Sequence, residues 1–342
     1  MNFIGLDLGS YEFKAVELKQ PKKQQKKELV SFASAAAPPH FLVSDSEVDW
    51  AAYSKALEKF HAESEFSTRD VVAALPESQV FTRVITVPKM SGKELKNAMQ
   101  WEAEQYLPIP LKEVSLDYRV ISNSSTADKT DILLVAAPLT LTAKYLKIIS
   151  EAKLSIVGLE TESLATARSL VGLTPSTPTT LVVSIGAVTT DISIVSKGFI
   201  RFTRSISTGG ESFARSVSQE LGFEIDRARE YMRSYGLEES QLEGKVMKAI
   251  KPVFDVVVSE VKRSVAYYAT HQKEDVIKRV IVSGGAASLP GVLVYLAAAL
   301  NIEVQVADPW EGLLIPNKFE RQGLEDVGPR FAVAVGLALK DV

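Results

Sequence analysis

The chain has 342 residues, long for one hydrophobic core and long enough for two or more domains. Apolar residues make up 46% and charged residues 24%, which excludes a disordered chain; the net charge of -3, with Lys and Arg scattered, excludes a nucleic-acid binder. No cysteine is present, so disulfides and thiolate metal sites are excluded, and His40, His61 and His271 lack metal-ligand spacing and read as ordinary surface residues. Phe3-Ile4-Gly5-Leu6 runs into Asp7 without a signal-peptide pattern, and no apolar run reaches the ~20 residues that span a bilayer. The longest run, Leu289 to Leu300, reads as a buried helix, and a cytoplasmic location is expected.

In chain order, residues 3–18 form an apolar strand, a small-residue turn and a second alternating strand; Leu29 to Ala35 gives a third. The intervening tip carries Lys22, Lys23, Lys26 and Lys27. This reads as a solvated hairpin end, or alternatively as a contact for an anionic membrane surface. Glu47 to Ala62 has helical spacing. Val80 to Val87 reads as a strand, and Ser91 to Tyr106 as a helix opened by a Ser91/Glu94 capping box. Ser115 to Ile121 and Ile132 to Ala137 read as strands joined by the polar loop Ser122 to Thr130, and Thr140 to Ala152 as a helix. This β-α-β-β-α order predicts a small inserted subdomain. Residues 181–195 then repeat the opening hairpin, and Phe199 to Ile206 supplies its third strand after the Lys197-Gly198 turn. Helices follow at Gly209 to Leu221, Asp226 to Tyr235 and Gly244 to His271, the last with Pro252 near its start. Val280 to Val282 is a short buried strand ending in Ser283-Gly284-Gly285, and Arg330 to Leu339 closes the chain as a helix.

The turns carry the chemistry. Asp7-Leu8-Gly9-Ser10-Tyr11 offers backbone amides and a hydroxyl to phosphate oxygens, Lys14 is in reach of the same oxygens, and Asp7 is the candidate magnesium residue. The second turn, Ser184 to Asp191 with Gly186, Ala187 and Thr189, is expected to face the first across a cleft. Gly209 and Gly210 open a helix whose N-terminus favours anions, and Gly284, Gly285 and Ala286 form a strand-to-helix glycine pair that can lie flat against a ligand.

These turns, in this order, resemble the phosphate 1, phosphate 2 and adenosine motifs of the actin-like superfamily: actin, the sugar kinases, the heat-shock chaperones and the division protein FtsA. The resemblance implies a duplicated, ribonuclease H-like α/β fold with an insertion as in FtsA. Its expected layout is a first subdomain at 1–76, 156–178 and 328–342, an inserted subdomain at 77–155, and a second half at 179–327 with a helical lobe near 222–275. Within the superfamily, Ala73-Ala74-Leu75-Pro76, Val80 to Arg83, Val87 to Met90, Trp101 to Pro110, Asp308 to Glu311 and Gly328 to Leu339 closely resemble the PilM family of type IV pilus assembly. That resemblance covers essentially the whole chain. It implies ATP or ADP, with Mg2+, in the cleft. It also implies a groove, between the first subdomain and the inserted one, for the N-terminal cytoplasmic tail of the membrane protein PilN. On matching positions the groove includes Arg83, Pro88, Trp101, Glu102, Gln105, Tyr106 and Pro108. An aromatic-lined groove suits an extended apolar peptide; packing of Trp101 and Tyr106 in the subdomain core is the plainer alternative. Contact with the pilus motor ATPase is a further implied role, with membrane association only through partners.

The sequence departs from the pattern at the chemistry. Ser184 stands where the family's second turn usually begins with aspartate, and Asp191 matches a later acidic position of some relatives. Aligned on Tyr235-Gly236, the adenine-contacting helix has Arg229 at its glutamate position and Met232 at its lysine position. Nucleotide binding is therefore expected, with hydrolysis weak or absent. Two alternatives stay open. An FtsA-like division protein would carry a terminal amphipathic anchor, for which Leu339-Lys340-Asp341-Val342 leaves no room; a small-molecule kinase would need a general base, of which the sequence offers no convincing candidate.

Overall fold

Two hairpins of matching register organise the computed structural model, which describes residues 2–21, 26–38, 44, 46–123, 128–272, 275–319 and 321–341. β1 (Ile4–Leu8), β2 (Glu12–Lys19) and β3 (Glu28–Ala36) form an antiparallel meander. α1 (Glu47–Glu63) leads to β4 (Asp70–Leu75), parallel to β1. The insertion follows: β5 (Phe81–Pro88), α2 (Gly92–Glu104), β6 (Val114–Asn123), β7 (Lys129–Pro138) and α3 (Leu139–Glu151). β8 (Ser155–Thr161) and α4 (Glu162–Leu170) complete the first half. The second meander is β9 (Thr180–Ile185), β10 (Thr190–Ser196) and β11 (Phe199–Ile206). It is followed by α5 (Gly210–Leu221), α6 (Ile225–Tyr235), α7 (Lys245–His271), β12 (Arg279–Ser283), α8 (Val292–Leu300), β13 (Val304–Val306) and α9 (Arg321–Ala338). The two large sheets run β3-β2-β1-β4-β8 and β11-β10-β9-β12-β13, so each strand of one has a counterpart in the other. The insertion forms its own sheet, β5-β7-β6.

Burial follows from this layering. β1 is buried at all five positions because helices cover both faces of its sheet. α5, α6, α7 and α8 share one core with β9, β10 and β12, built on Phe213, Phe254, Val257, Val280 and Leu296. The helical segment near 222–275 is thus continuous with the second sheet's core. α7 runs unbroken past Pro252. α2 starts at the expected capping box: the Glu94 amide donates to the Ser91 hydroxyl while the Glu94 carboxylate accepts from the Ser91 amide at 2.9 Å.

Two expected boundaries move. Leu141, Tyr145, Ile148 and Ile149 of α3 pack with Tyr53, Leu57 and Phe13, so α3 belongs to the first half's core and the insertion proper ends near Pro138. Trp310, Leu313 and Leu324 pack with Val16, Leu18, Leu29 and Phe331, so the chain rejoins the first half well before 328. The Trp310 indole N–H donates to the Leu324 carbonyl at 2.9 Å, and its own amide donates to Asp308 at 3.0 Å. The Asp308–Glu311 motif is therefore a structural anchor.

Four elements escaped the sequence reading. β13 is a three-residue edge strand, β4 is a buried central strand and β8 a half-buried edge strand, both without clear alternation, and α4 is built from small residues, with Ser163, Ala165, Thr166 and Ala167 buried. Their smallness is the point: α4 crosses α9 at backbone contact, where a Cβ on Gly336 would lie 1.8 Å from the Ala165 carbonyl oxygen. α4 also touches β10 and β11, and α9 touches β12, so these two helices join the halves.

Of the basic tip, Lys22 and Lys23 lie outside the described residues. Lys27 is no membrane-facing charge: its amine donates to the carbonyls of Ala338 and Lys340 at 3.3 Å each, at the C-terminal end of α9. Burial draws its pKa down. His40 also lies outside the described residues; His61 meets the Thr68 carbonyl at 2.9 Å, and His271 stacks on exposed Tyr267.

Candidate functional site

The two turns are built alike. In the first, the Gly9 amide donates to the Glu12 carbonyl at 3.2 Å; in the second, the Gly186 amide donates to the Thr189 carbonyl at 2.9 Å. The registers coincide as well, with Asp7 opposite Lys14 and Ser184 opposite Asp191. Residues opposite one another in an antiparallel pair share a face. Asp191 therefore stands beside Ser184 as Lys14 stands beside Asp7. The side chains differ: Lys14 donates to Asp7 at 2.6 Å in a nearly buried ion pair, whereas Asp191 has no cation among the described residues.

Asp191 is one of a group. Burial pushes its carboxyl up to about 7, Glu77 adding to the effect against the nearby hydroxyls of Ser205 and Thr189. Glu162, at the first position of α4, is pushed well above the carboxylate range by burial and then by Asp191 and Asp7. The amide of Glu77 opposes that shift by donating to Glu162 at 3.1 Å. Glu77, 5% exposed, is itself raised by burial, with Ser163, Thr203 and Thr82 close by. Among the described residues, Asp191 Oδ1, Glu77 Oε2 and the hydroxyls of Thr82, Ser163, Ser205 and Ser283 are buried without a completed hydrogen bond. Glu162 is a carboxyl at the cleft that sequence reading missed, because α4 carries no amphipathic period. It is a candidate for the general base that the sequence reading lacked, with burial disfavouring its charged form.

The glycines divide into packing and open positions. A Cβ on Gly284 would lie 2.3 Å from the Ile185 carbonyl, and its φ of +85° suits glycine alone. Its amide donates to the Pro329 carbonyl of α9 at 2.8 Å. A Cβ on Gly285 meets nothing within 4 Å. Gly285 is thus the open member of the pair, with buried Ala286 behind it donating to Ile185 at 3.2 Å. The expected anion site at Gly209-Gly210 is different. The Gly210 amide donates to the Gly186 carbonyl at 2.9 Å and the Glu211 amide to Ala187 at 2.8 Å. These donors fasten α5 to the second turn, so the helix start supports the turn and does not present those amides to a ligand.

Asp7 accepts from Lys14, and among the described residues no group of three or more His, Asp or Glu is placed to hold a metal. Magnesium commonly keeps several waters and binds through one or two carboxylates plus phosphate oxygens. The residues fit that mode, with Asp7 as the protein carboxylate, and not a dedicated cage. The 480 Å³ cavity beside Tyr268, Gln272 and Asn301 lies below the second sheet, away from the turns.

In the insertion, one face of the sheet packs Ile85, Val87, Ile132 and Leu134 against Leu95, Met99 and Ala103 of α2. The other face places Ile121 and Leu133 against Val195, Ile200 and Ala167. Trp101 lies outside both cores and is 75% exposed. Tyr106 is half-buried against the α2 core with the Arg83 guanidinium 5.2 Å from its ring centre. Pro88, Gln105 and Pro108 are exposed and Glu102 is half-buried. The core-packing alternative is thus rejected for Trp101 and holds in part for Tyr106.

Duplicated sheets, matched turns and two joining helices define an actin-like protein. EutJ from Carboxydothermus hydrogenoformans superposes with a TM-score of 0.59 at 19% identity, covering 99% of this chain and 89% of that one. MreB5 of Spiroplasma citri bound to AMPPNP gives 0.56 at 14%, covering 98% and 94%. The PilM–PilN type IV pilus biogenesis complex gives 0.87 at 28% identity, covering 99% of this chain and 98% of that chain. A family model for the type IV pilus assembly protein PilM matches residues 5–342, and the chain belongs to that family. Among curated proteins, FtsA of Neisseria meningitidis serogroup B is 26% identical over 183 residues, 46% of this chain and 41% of FtsA. EutJ of Escherichia coli K12 is 29% identical over 111 residues, 32% of this chain and 35% of EutJ. The chain spans less than half the length of either curated relative.

Proposed function

We propose that this protein is an actin-like adaptor of the type IV pilus assembly platform. In this reading it holds a nucleotide in its cleft and captures the N-terminal cytoplasmic tail of PilN on its inserted subdomain. The observation that carries the reading is the exposed Trp101 on an otherwise well-packed subdomain: an indole left 75% exposed beside half-buried Tyr106 is an anchor that an apolar peptide would cover. The full-length likeness to a PilM solved with PilN supports the choice of partner.

For the nucleotide, phosphate oxygens would meet the amides of Ser10 and Tyr11 on one side and of Ala187 and Val188 on the other, because the turns' internal bonds engage Gly9 and Gly186. The Lys14 amine beside Gly9 would move toward them, and the nucleoside would lie over Gly285 and Ala286. MreB5 of Spiroplasma citri, solved with AMPPNP and with ADP, carries nucleotide on the same fold. Bound Mg2+ would neutralise phosphate charge beside Asp7. Glu162 and Asp191 flank that point, and burial raises the pKa of both, which disfavours the carboxylate form that a general base needs; in this reading nucleotide acts as a ligand more than as a substrate. No helix among the described residues is long and apolar enough to cross a membrane, and membrane attachment would come through PilN. The pilus motor ATPase is a further partner in this reading.

Calorimetry with the tail peptide of the cognate PilN, with and without Mg-ATP, tests the adaptor role: micromolar or tighter binding is expected, and no heat in either condition contradicts it. A crystal soaked with ATP and magnesium tests the cleft, with density expected between Ser10 and Ala187.

A further inference from the structure

The departure at Arg229 has a structural counterpart. Arg229 forks onto Glu211 with two bonds of 2.9 Å and also donates to Asp226 at 2.6 Å. A bidentate fork holds the guanidinium plane in one orientation. That plane lies 5.9 Å from the ring centre of Tyr11, within cation–π range, although Tyr11 belongs to the first turn and Arg229 to the second half. Glu211 is equally placed: after burial, its carboxylate is the next cause that raises the Tyr11 hydroxyl's pKa, and its amide is fastened to the Ala187 carbonyl of the second turn at 2.8 Å. One side chain of the first turn thus reaches across to a residue tied to the second, over the gap where phosphates would enter.

We infer that Tyr11, Glu211 and Arg229 form a clasp that holds the two halves together across the mouth of the cleft and gates nucleotide entry and release. The inference rests on the nucleotide reading of the cleft. It also gives the arginine a role that a glutamate at this position could not fill, since two facing carboxylates would repel each other and the tyrosine ring face. The clasp is partly exposed, with Tyr11 40% accessible, so it is weak enough to open on the time scale of ligand exchange.

Two measurements decide it. A double-mutant cycle on the nucleotide-free full chain, with Tyr11→Ala and Arg229→Ala singly and together, reads the contact directly from the unfolding equilibrium. The double variant is expected to lose less than the product of the single losses, by about threefold or more. Stopped-flow binding of a fluorescent ATP analogue then reads the gate. Tyr11→Ala is expected to accelerate association and release together by about tenfold, moving Kd much less than either rate. Tyr11→Phe, which keeps the ring over the guanidinium, is expected to fall between, and Arg229→Lys, which cannot fork, to resemble Arg229→Ala. Additive losses in the cycle overturn the clasp. Coupling with unchanged rates overturns the gate. A wild-type chain that binds no nucleotide overturns the cleft reading and the gate with it, and is recognised because the coupling in the cycle persists.

Discussion

The two hairpins share turn bond and register, yet they differ in electrostatics. The first closes on itself: Asp7 and Lys14 neutralise each other. The second leaves a buried acid, Asp191, beside a hydroxyl, Ser184, with no cation among the described residues. The parallel strands behind them diverge in the same manner. β12 pairs Ser283 with Ser184 and then opens into Gly284-Gly285, a bare face. β4 pairs Ala73 with Leu6, and a step beyond comes Leu75-Pro76, where the insertion departs. On the proposed reading a duplicated unit has been specialised: both turns would offer amides to phosphate, but the second copy would add the glycine face for the nucleoside and the first would launch the subdomain that takes the peptide. Glu77 stands at the seam, its amide on cleft-side Glu162 and its side chain near Thr82 of the insertion and Thr203 of the second half.

That contrast can be broken in graded ways. The largest effect is expected within the glycine pair. Gly284→Ala puts a Cβ 2.3 Å from a carbonyl at a positive φ, and chemical denaturation should show a loss of ~3 kcal/mol. Gly285→Ala, into open space, should change stability by less than ~0.5 kcal/mol and reach only nucleotide affinity. Equal losses at both would erase the distinction between a packing glycine and an open one.

The acids should separate next. Asp7→Asn leaves Lys14 nearly buried without its charge partner and should cost ~3 kcal/mol at neutral pH. Asp191→Asn should do the reverse. With its pKa raised to about 7 in the fold against an ordinary value near 3.8, Asp191 binds its proton more tightly folded than unfolded. Its contribution to stability is full below about pH 4 and is lost as pH rises to about 7. The variant should therefore be more stable than wild type at pH 8 and show a flatter stability profile between pH 4 and 7, followed as Tm against pH. An unchanged slope between pH 4 and 7, with the variant less stable than wild type at pH 8, would mean that Asp191 has a cation in solution.

In the insertion, Tyr106→Ala should cost ~1–2 kcal/mol through lost packing, whereas Trp101→Ala should leave Tm unchanged and weaken peptide binding at least ~tenfold. Of the substitutions that remove packing, a charge partner or a cap, Ser91→Ala should cost least: it removes the α2 cap and should lower stability by ~1 kcal/mol without touching nucleotide affinity.

The legible parts of this molecule were those with a local period or a local turn. Both meanders, α2 with its cap and the β-α-β-β-α order of the insertion could be read because alternation, helical spacing and capping are short-range properties. What could not be read depended on another part of the chain. α4 is small and nearly featureless because α9 presses against it at Ala165 and Gly336, and Glu162 went unseen for that reason. Gly209 and Gly210 looked like an anion site, yet the amides of Gly210 and Glu211 donate to carbonyls of a turn some twenty residues earlier. The domain boundaries moved because Trp310 and Tyr145 pack on strands and helices distant in sequence. Arg229 was visible as a departure, but its meaning needed Tyr11 across the cleft.

The central claim is a division of labour between the two copies, and one experiment with two ligands tests it. Mg-ATP and the PilN tail peptide are titrated separately into wild type, Gly285→Val and Trp101→Ala. Wild type should bind both, Gly285→Val should lose nucleotide and keep peptide, and Trp101→Ala should lose peptide and keep nucleotide. Failure of wild type to bind either ligand, or loss of the same ligand in both variants, would contradict the account.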